Sequence, residues 1–140
     1  MRKSQMVILS LAGIVILTAT QLPFATTLQT RADYAAAVDR ASAEYRDARV
    51  ECRPIAGHDR DMCVVQAKAA EKRAKAAADA KYWGTIKSKA DRTIANADAD
   101  WMIARASCDA RLLPDKAACV QKAKAANIRT VAAVQATYGK

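Results

Sequence analysis

The sequence predicts an all-α protein built from two tandem antiparallel helical hairpins, each stapled by a disulfide, after an N-terminal hydrophobic helix. Three observations support this fold class. The four cysteines form two pairs with identical spacing, and the chain repeats itself at a period of 56 residues. The 140 residues are 52% hydrophobic but include only one Phe, two Trp and four Tyr. Because alanine supplies much of that apolar fraction, the core is expected to be thin, which suits closely packed helices better than a β-sandwich.

The first 27 residues differ from the rest of the chain. Arg2 and Lys3 precede the apolar run "MVILSLAGIVILTA", and no charged residue occurs between Ser4 and Thr30. A basic start followed by an apolar stretch is typical of a secretory signal, and the uncharged span is also long enough to remain in a bilayer as an anchor through residues 6–25. The sequence therefore predicts a signal peptide or signal anchor over residues 1–27. Both alternatives stay open, because "QLPFATT" contains no A-x-A cleavage motif.

The remainder of the chain is an internal duplication. A shift of 56 residues aligns Cys52 with Cys108 and Cys63 with Cys119 without a gap. Such agreement predicts a repeated unit, with one hairpin in residues 28–82 and a second in residues 83–140. Two copies are fewer than a solenoid requires, so we expect the hairpins to close on each other rather than form an open array. Other matched pairs are Tyr45 with Trp101, Asp59 with Asp115, Val64 with Val120 and Tyr82 with Tyr138.

Each unit has the pattern of a helix, a short loop and a second helix. Apolar residues recur in steps of four and three before the first cysteine, which predicts one continuous inward stripe per helix. Pro54 and Gly57 mark the first loop, and Pro114 marks the second. The two predicted stripes are Tyr34, Val38, Ala41, Tyr45, Ala48 and Cys52, and Ala90, Ile94, Ala97, Trp101, Ala104 and Cys108.

The returning helix of each unit carries small residues at the same steps. We therefore expect these to face the aromatic stripe, with Tyr45 opposite Ala70 and Trp101 opposite Ala126. In the linker of residues 81–89, Gly84 is the only strong helix breaker, so the two middle helices are expected to run nearly continuously with a kink. The predicted inward residues are Cys63, Ala67, Ala70, Ala74 and Ala77, and Cys119, Ala123, Ala126, Thr130 and Ala133.

The cysteine spacing predicts how the disulfides pair. Ten residues between two cysteines suffice for a tight turn that brings their side chains together on the inner faces of an antiparallel hairpin. Export to an oxidising compartment favours disulfides over metal ligation. We therefore predict the bonds Cys52–Cys63 and Cys108–Cys119. The alternative pairs Cys52 with Cys119 and Cys63 with Cys108.

The sequence offers little for catalysis, and we do not expect an enzyme. His58 is the only histidine and lies in a predicted loop, so no Ser-His-Asp or Cys-His arrangement is expected. The chain has no C-x-x-C redox motif and no glycine-rich nucleotide-binding motif. A spacing of ten residues between cysteines is also unlike that of a zinc ribbon. The sequence predicts no catalytic residue, no metal site and no cofactor.

The formal net charge is +9, and basic residues crowd the second half of the chain. A solvated helix face is one interpretation. The other is a patch for anionic partners, such as lipopolysaccharide, anionic lipid or a cell-wall polymer. Nucleic acid is disfavoured, because no aromatic residue interleaves the basic run from Lys68 to Lys75. The candidate anion-binding residues are Lys68, Lys72, Arg73, Lys75, Lys87, Lys89, Lys122, Lys124 and Arg129.

The segments 52–70 and 108–126, and above all "DRDMCVVQAKAAEKRAKAAADAK", resemble a group of small exported proteobacterial proteins. These are rich in alanine and lysine, repeat a C-x10-C helical hairpin and are often labelled TolA-like or cell-envelope biogenesis proteins. The N-terminal segment predicts a location in the periplasm, or at the inner membrane facing it. Together with the absence of catalytic motifs, the sequence predicts a non-catalytic accessory or structural protein of the cell envelope acting through helical, coiled-coil-like surfaces. The alternatives are a basic polyanion-binding module and a chaperone-like stress protein.

Two kinds of partner follow from that interpretation. One is an unknown envelope protein, and the other is an anionic envelope polymer. The alanine-rich faces also allow the chain to pair with a second copy and form a homo-oligomer.

Overall fold

The computed structural model describes residues 29–138, and the predicted signal or anchor over residues 1–27 lies outside the described residues. Within the described range the chain forms four helices and no strand: α1 (Arg31–Glu51), α2 (Gly57–Trp83), α3 (Ile86–Cys108) and α4 (Asp115–Tyr138). The prediction of an all-α chain with two helical hairpins is confirmed. None of these four helices is both long and apolar enough to cross a membrane.

The helix ends follow from local side chains. At the start of α1, the Thr30 hydroxyl accepts a hydrogen bond from the Asp33 N–H at 3.1 Å. The Asp33 carboxylate accepts one from the Thr30 N–H at 3.1 Å, which completes a capping box. At the start of α3, the Thr85 hydroxyl accepts from the Ser88 N–H at 3.0 Å. These caps satisfy backbone donors that have no partner inside the helix.

The turn between α2 and α3 reverses the chain. Gly84 ends α2 with φ +63°, a left-handed conformation that glycine adopts without steric cost. Thr85 then caps α3 directly. The prediction that the middle helices run nearly continuously is wrong, because a left-handed glycine next to an N-cap residue ends one helix and begins the next within two residues.

Consecutive helices pack in antiparallel pairs, α1 on α2, α2 on α3 and α3 on α4. Within residues 29–138, Cα atoms of no other pair of helices approach within 8 Å. The two hairpins therefore form an open array, and the prediction that they close on each other is wrong. The physical reason is that α2 and α3 each have a neighbouring helix on both sides, so α1 and α4 remain at opposite edges of the array.

The apolar stripes predicted for α1 and α3 are confirmed. Ala41 and Cys52 are buried on the α1 stripe, and Ala90, Ala97 and Cys108 are buried on the α3 stripe. The other stripe residues are half-buried. Small residues at the buried positions let neighbouring helices approach closely.

The inward stripes predicted for α2 and α4 are wrong over most of their length. In α2 the buried residues lie on two flanks, Ala69 with Ala80 and Glu71 with Ala78. A two-residue offset turns the helix by about 200°, so these flanks are nearly opposite and face α1 and α3. The alanine-rich face between them is left to solvent. In α4 the covered stripe runs instead through Ala123, Asn127, Val131 and Val134. The exposed positions are Ala70, Ala74 and Ala77, and Ala126, Thr130 and Ala133.

The disulfides pair within each unit, as predicted. Cys52 bonds Cys63 and Cys108 bonds Cys119, both with a Cα–Cα distance of 5.7 Å, inside the usual range for unstrained bridges. Both staples lie at the same end of the array, where α1 turns into α2 and α3 into α4. The opposite end is held by non-covalent contacts, including the stacked rings of Tyr34 and Tyr82 with centroids 4.7 Å apart.

Candidate functional site

The basic residues predicted to bind anions divide into two groups. Five of the nine form ion pairs with acids of the same chain, which partly neutralises their charge. The pairs are Lys68 and Lys75 with Glu71 at 2.7 Å each, Lys72 with Asp98 at 3.0 Å, Lys87 with Asp91 at 2.7 Å, and Arg73 with Asp100 in close contact.

The other four, Lys89, Lys122, Lys124 and Arg129, are exposed and form no ion pair with any residue in the range 29–138. Lys122 and Arg129 are seven residues apart and share one face of α4, whereas Lys124 lies about 200° around the helix from Lys122. The structure therefore does not gather the nine residues into a single patch. Their role in anion binding stays a prediction.

Glu71 is a buried carboxylate on α2, with 7% of its side-chain surface exposed. It accepts hydrogen bonds from Lys68, one turn before it, and from Lys75, one turn after it. These two bonds lower the pKa of Glu71, and the bond that Lys68 donates to the carboxylate raises the pKa of Lys68. Lys68 also lies 4.7 Å from the centroid of the Tyr45 ring on α1. The cluster therefore links α1 to α2 through charge, and its carboxylate remains ionised at neutral pH.

Asp98 on α3 connects three helices. One carboxylate oxygen accepts from Lys72 of α2 at 3.0 Å, and the other accepts from the Asn127 amide of α4 at 3.1 Å. Burial raises the pKa of Asp98, but the hydrogen bonds from Lys72 and Asn127 outweigh it, so the pKa is lowered overall. Asp98 has no local sequence signal, because its partners lie 26 and 29 residues away. Glu71 had a local signal, a lysine three residues before it and another four residues after it.

An open groove of about 340 Å³ lies between α3 and α4. Trp101 of α3 and the exposed Ala126 of α4 both line it, and the packing of one on the other stays a prediction. Ala97, Ala104 and Ala123 supply further apolar wall. Polar atoms border the groove, from Thr93, Asn96, Asp100, Asn127 and Thr130. We refer to this feature as the Trp101 groove.

The equivalent position in the first unit behaves differently. Tyr45 does not pack on Ala70, which is exposed on α2. Its ring lies instead against two cations, with Lys68 at 4.7 Å and Arg49 at 5.7 Å from the centroid. The predicted contact between Tyr45 and Ala70 is therefore wrong, because α2 turns a flank rather than its alanine face toward α1.

The structure places His58 in the first turn of α2 instead of in a loop, and its side chain is half-buried. Within residues 29–138, no three or more His, Cys, Asp or Glu side chains are grouped so as to hold a metal ion.

No family model matches this chain, and comparisons with curated proteins and with solved structures find no significant match either. The function is therefore inferred from the chain's own geometry.

Proposed function

We propose that the protein is a non-catalytic accessory protein of the cell envelope that binds a partner protein through the Trp101 groove. The observation that supports this is the groove itself. A half-buried indole ring stands beside alanines, next to about 340 Å³ of solvent-accessible space. Apolar pockets with a large aromatic anchor and a polar border are typical of the energetic centres of protein interfaces.

The envelope location is supported by the disulfides and by the N-terminal sequence. Both cysteine pairs are bonded, and structural disulfides persist in oxidising compartments such as the periplasm. The uncharged segment after Arg2 and Lys3 is the expected export signal. The non-catalytic role rests on the sequence, with its single histidine and its lack of nucleotide-binding and redox motifs.

Photo-crosslinking in intact cells tests this function. A photoreactive amino acid is placed at Ala126, which lines the groove, and in a separate variant at Ala70. Ala70 is the equivalent position of the first unit and is exposed on α2 without lining a comparable groove. We expect one defined envelope protein to be crosslinked from position 126 and not from position 70.

The substitution Trp101→Ala serves as the second arm. We expect it to abolish the adduct from position 126 while helix content, measured by circular dichroism, is retained. Identical adducts from positions 70 and 126, or an adduct that survives Trp101→Ala, would exclude the groove as the binding site. No adduct from position 126 would count against the proposal in the same way.

A second candidate function is binding of an anionic envelope surface through α4. It is supported by Lys122 and Arg129, which share a face and are free of ion pairs within the described residues. Binding to vesicles of anionic lipid is then expected to weaken steeply as salt increases. The double variant Lys122→Gln with Arg129→Gln should reduce that binding, whereas Lys87→Gln, which removes a paired lysine, should not.

A further inference from the structure

The stapled end of the first unit carries a second groove, of about 530 Å³, between α1 and α2. Four arginines line it: Arg46 and Arg49 come from the last two turns of α1, Arg53 follows α1, and Arg60 lies in the first turn of α2. No acidic residue lines it. We call this feature the arginine groove; its lining residues are Tyr45, Arg46, Arg49, Val50, Arg53, Arg60 and Val64.

The arginines of this groove have no ion-pair partner in the part of the chain that the structure describes. Among residues 29–138, none of the four arginines has a carboxylate oxygen within 4.0 Å of its guanidinium nitrogens. Asp47 and Glu51 lie on the same helix but form no ion pair with them. Arg49 and Lys68 both lie against the ring of Tyr45, and of these two only Lys68 is ion-paired, with Glu71.

The internal duplication provides a direct comparison. A shift of 56 residues places Arg53 on Asp109 and Arg60 on Lys116. In the second unit these positions form an ion pair, with Lys116 Nζ 2.8 Å from an Asp109 carboxylate oxygen. Both units close the same turn with a disulfide of the same Cα–Cα distance, 5.7 Å. In the first unit, two positively charged side chains therefore occupy the positions at which the second unit has an oppositely charged, attracting pair.

Like charges that line the same groove repel each other, and an anion bound between them relieves that repulsion. Guanidinium groups bind phosphate oxygens in a planar, two-pronged geometry, which makes arginine clusters well suited to phosphate groups. We propose that the arginine groove is a binding site for a phosphate-bearing anion, held by Arg53 and Arg60 at the position where Asp109 and Lys116 pair in the second unit. The groove volume lies within the range of small-molecule sites, so it admits a diphosphate or a phosphorylated head group. This site is separate from the Trp101 groove and does not depend on it.

Calorimetric titration with inorganic pyrophosphate tests the proposal. The protein is the full chain with both disulfides formed, in non-ionic detergent at low salt. We expect saturable binding with one pyrophosphate per chain. The key variant is Arg53→Asp, which copies the second unit and lets residue 53 pair with Arg60. It should weaken pyrophosphate binding by at least about tenfold, the effect of losing one charge-assisted contact. Without anion it should raise the melting temperature by about 2 °C, as expected for a new surface ion pair.

The matched control is Arg40→Asp, which changes the net charge equally at an exposed position of α1 that does not line the groove and has no ion pair among the described residues. It should bind pyrophosphate as the unmodified chain does. Arg60→Gln removes one guanidinium without reversing charge and should also weaken binding. Circular dichroism and intact mass confirm that each variant is helical and disulfide-bonded. The proposal is overturned if the unmodified chain does not bind pyrophosphate, or if Arg53→Asp and Arg40→Asp weaken binding equally.

Vesicles distinguish the two sources of such a phosphate group. Arg53→Asp is compared with the unmodified chain on vesicles of phosphatidylcholine with and without phosphatidic acid. Because both chains carry the same N-terminal segment, any binding through its insertion contributes equally to both measurements. Binding that requires both phosphatidic acid and Arg53 identifies a lipid head group. Pyrophosphate binding without that vesicle effect identifies a soluble phosphate compound. Both results uphold the phosphate site.

Discussion

Lys72 of α2 and Asp98 of α3 form an ion pair across the boundary between the two repeat units, with Nζ 3.0 Å from Oδ2. Asn127 of α4 donates to the other oxygen of the same carboxylate at 3.1 Å. Asp98 therefore receives donors from helices on both sides of α3. It is a point at which the packing of one helix pair affects the next.

Replacing Asp98 should cost more than replacing Lys72. Asp98→Ala removes two hydrogen bonds and leaves Asn127 without its partner, so we expect a loss of about 1–2 kcal/mol in the free energy of unfolding. Lys72→Ala removes one half-exposed ion pair and should cost about 0.5 kcal/mol. Urea denaturation followed by circular dichroism measures both. Equal losses would mean that the bond from Asn127 contributes nothing.

The Glu71 cluster predicts a loss of stability in acid. The pKa of Glu71 is lowered in the folded state by the hydrogen bonds from Lys68 and Lys75. A carboxyl whose pKa is lowered on folding stabilises the protein above its unfolded pKa, about 4.3 for Glu. That contribution is lost as the pH falls from this value through the lower pKa of the folded state.

Melting temperatures between pH 3 and pH 7 test this expectation. Glu71→Gln should be less stable than the unmodified chain at pH 7, and the difference should shrink as the pH falls below about 4.3. Glu44→Gln on α1 is the control, because Glu44 is exposed and forms no ion pair within the described residues. A constant difference between Glu71→Gln and the unmodified chain at every pH would contradict the proposed charge effect.

Two adjacent alanines of α2 should respond differently to the same substitution. Ala69 is fully buried on the flank of α2, and Ala70 is exposed. Ala69→Leu should therefore overpack the interface and cost about 1–3 kcal/mol, whereas Ala70→Leu should change stability by less than about 0.5 kcal/mol. The free energy of unfolding in urea is the measurement. A larger loss of stability from Ala70→Leu than from Ala69→Leu would instead support the inward alanine face that the sequence predicts.

The disulfides should each contribute substantially to stability. Each joins two cysteines with a sequence separation of 11. Chain-entropy estimates for so short a loop give a stabilisation of about 2–3 kcal/mol. Replacing Cys52 and Cys63 together with alanine should lower the free energy of unfolding by that amount, and the pair Cys108 and Cys119 should behave alike. Loss of less than about 1 kcal/mol from either double variant would show that packing alone sets the hairpin.

Large and chemically distinctive residues made much of the fold predictable. The cysteine spacing predicts both bridges, and the stripes marked by Tyr45 and Trp101 predict the covered faces of α1 and α3. Alanine carries no such information, since it is compatible with burial and with exposure alike. The orientation of α2 was missed for that reason. A helix with neighbours on two sides buries two flanks, and nothing in the local pattern around Ala70 signals a second neighbour.

The polar contacts also differ in whether the local sequence predicts them. The bonds of Glu71 to Lys68 and Lys75 follow from helical spacing and can be anticipated from sequence. Those of Asp98, and the collection of arginines around Tyr45, depend on which helices become neighbours and in what register. For the arginine groove a signal was present in the repeat alignment, where Arg53 stands opposite Asp109, but it becomes interpretable only when the ion pair of the second unit is seen.

The open array also has a consequence for how such a chain can lengthen. A closed bundle has a fixed number of helices, and an insertion must be accommodated throughout its core. Among residues 29–138, α4 packs only on α3, so one more unit of fifty-six residues would need only to place its first helix on the side of α4 away from α3, as α3 lies on α2. Gene duplication can therefore change the length of this protein while leaving every existing interface intact.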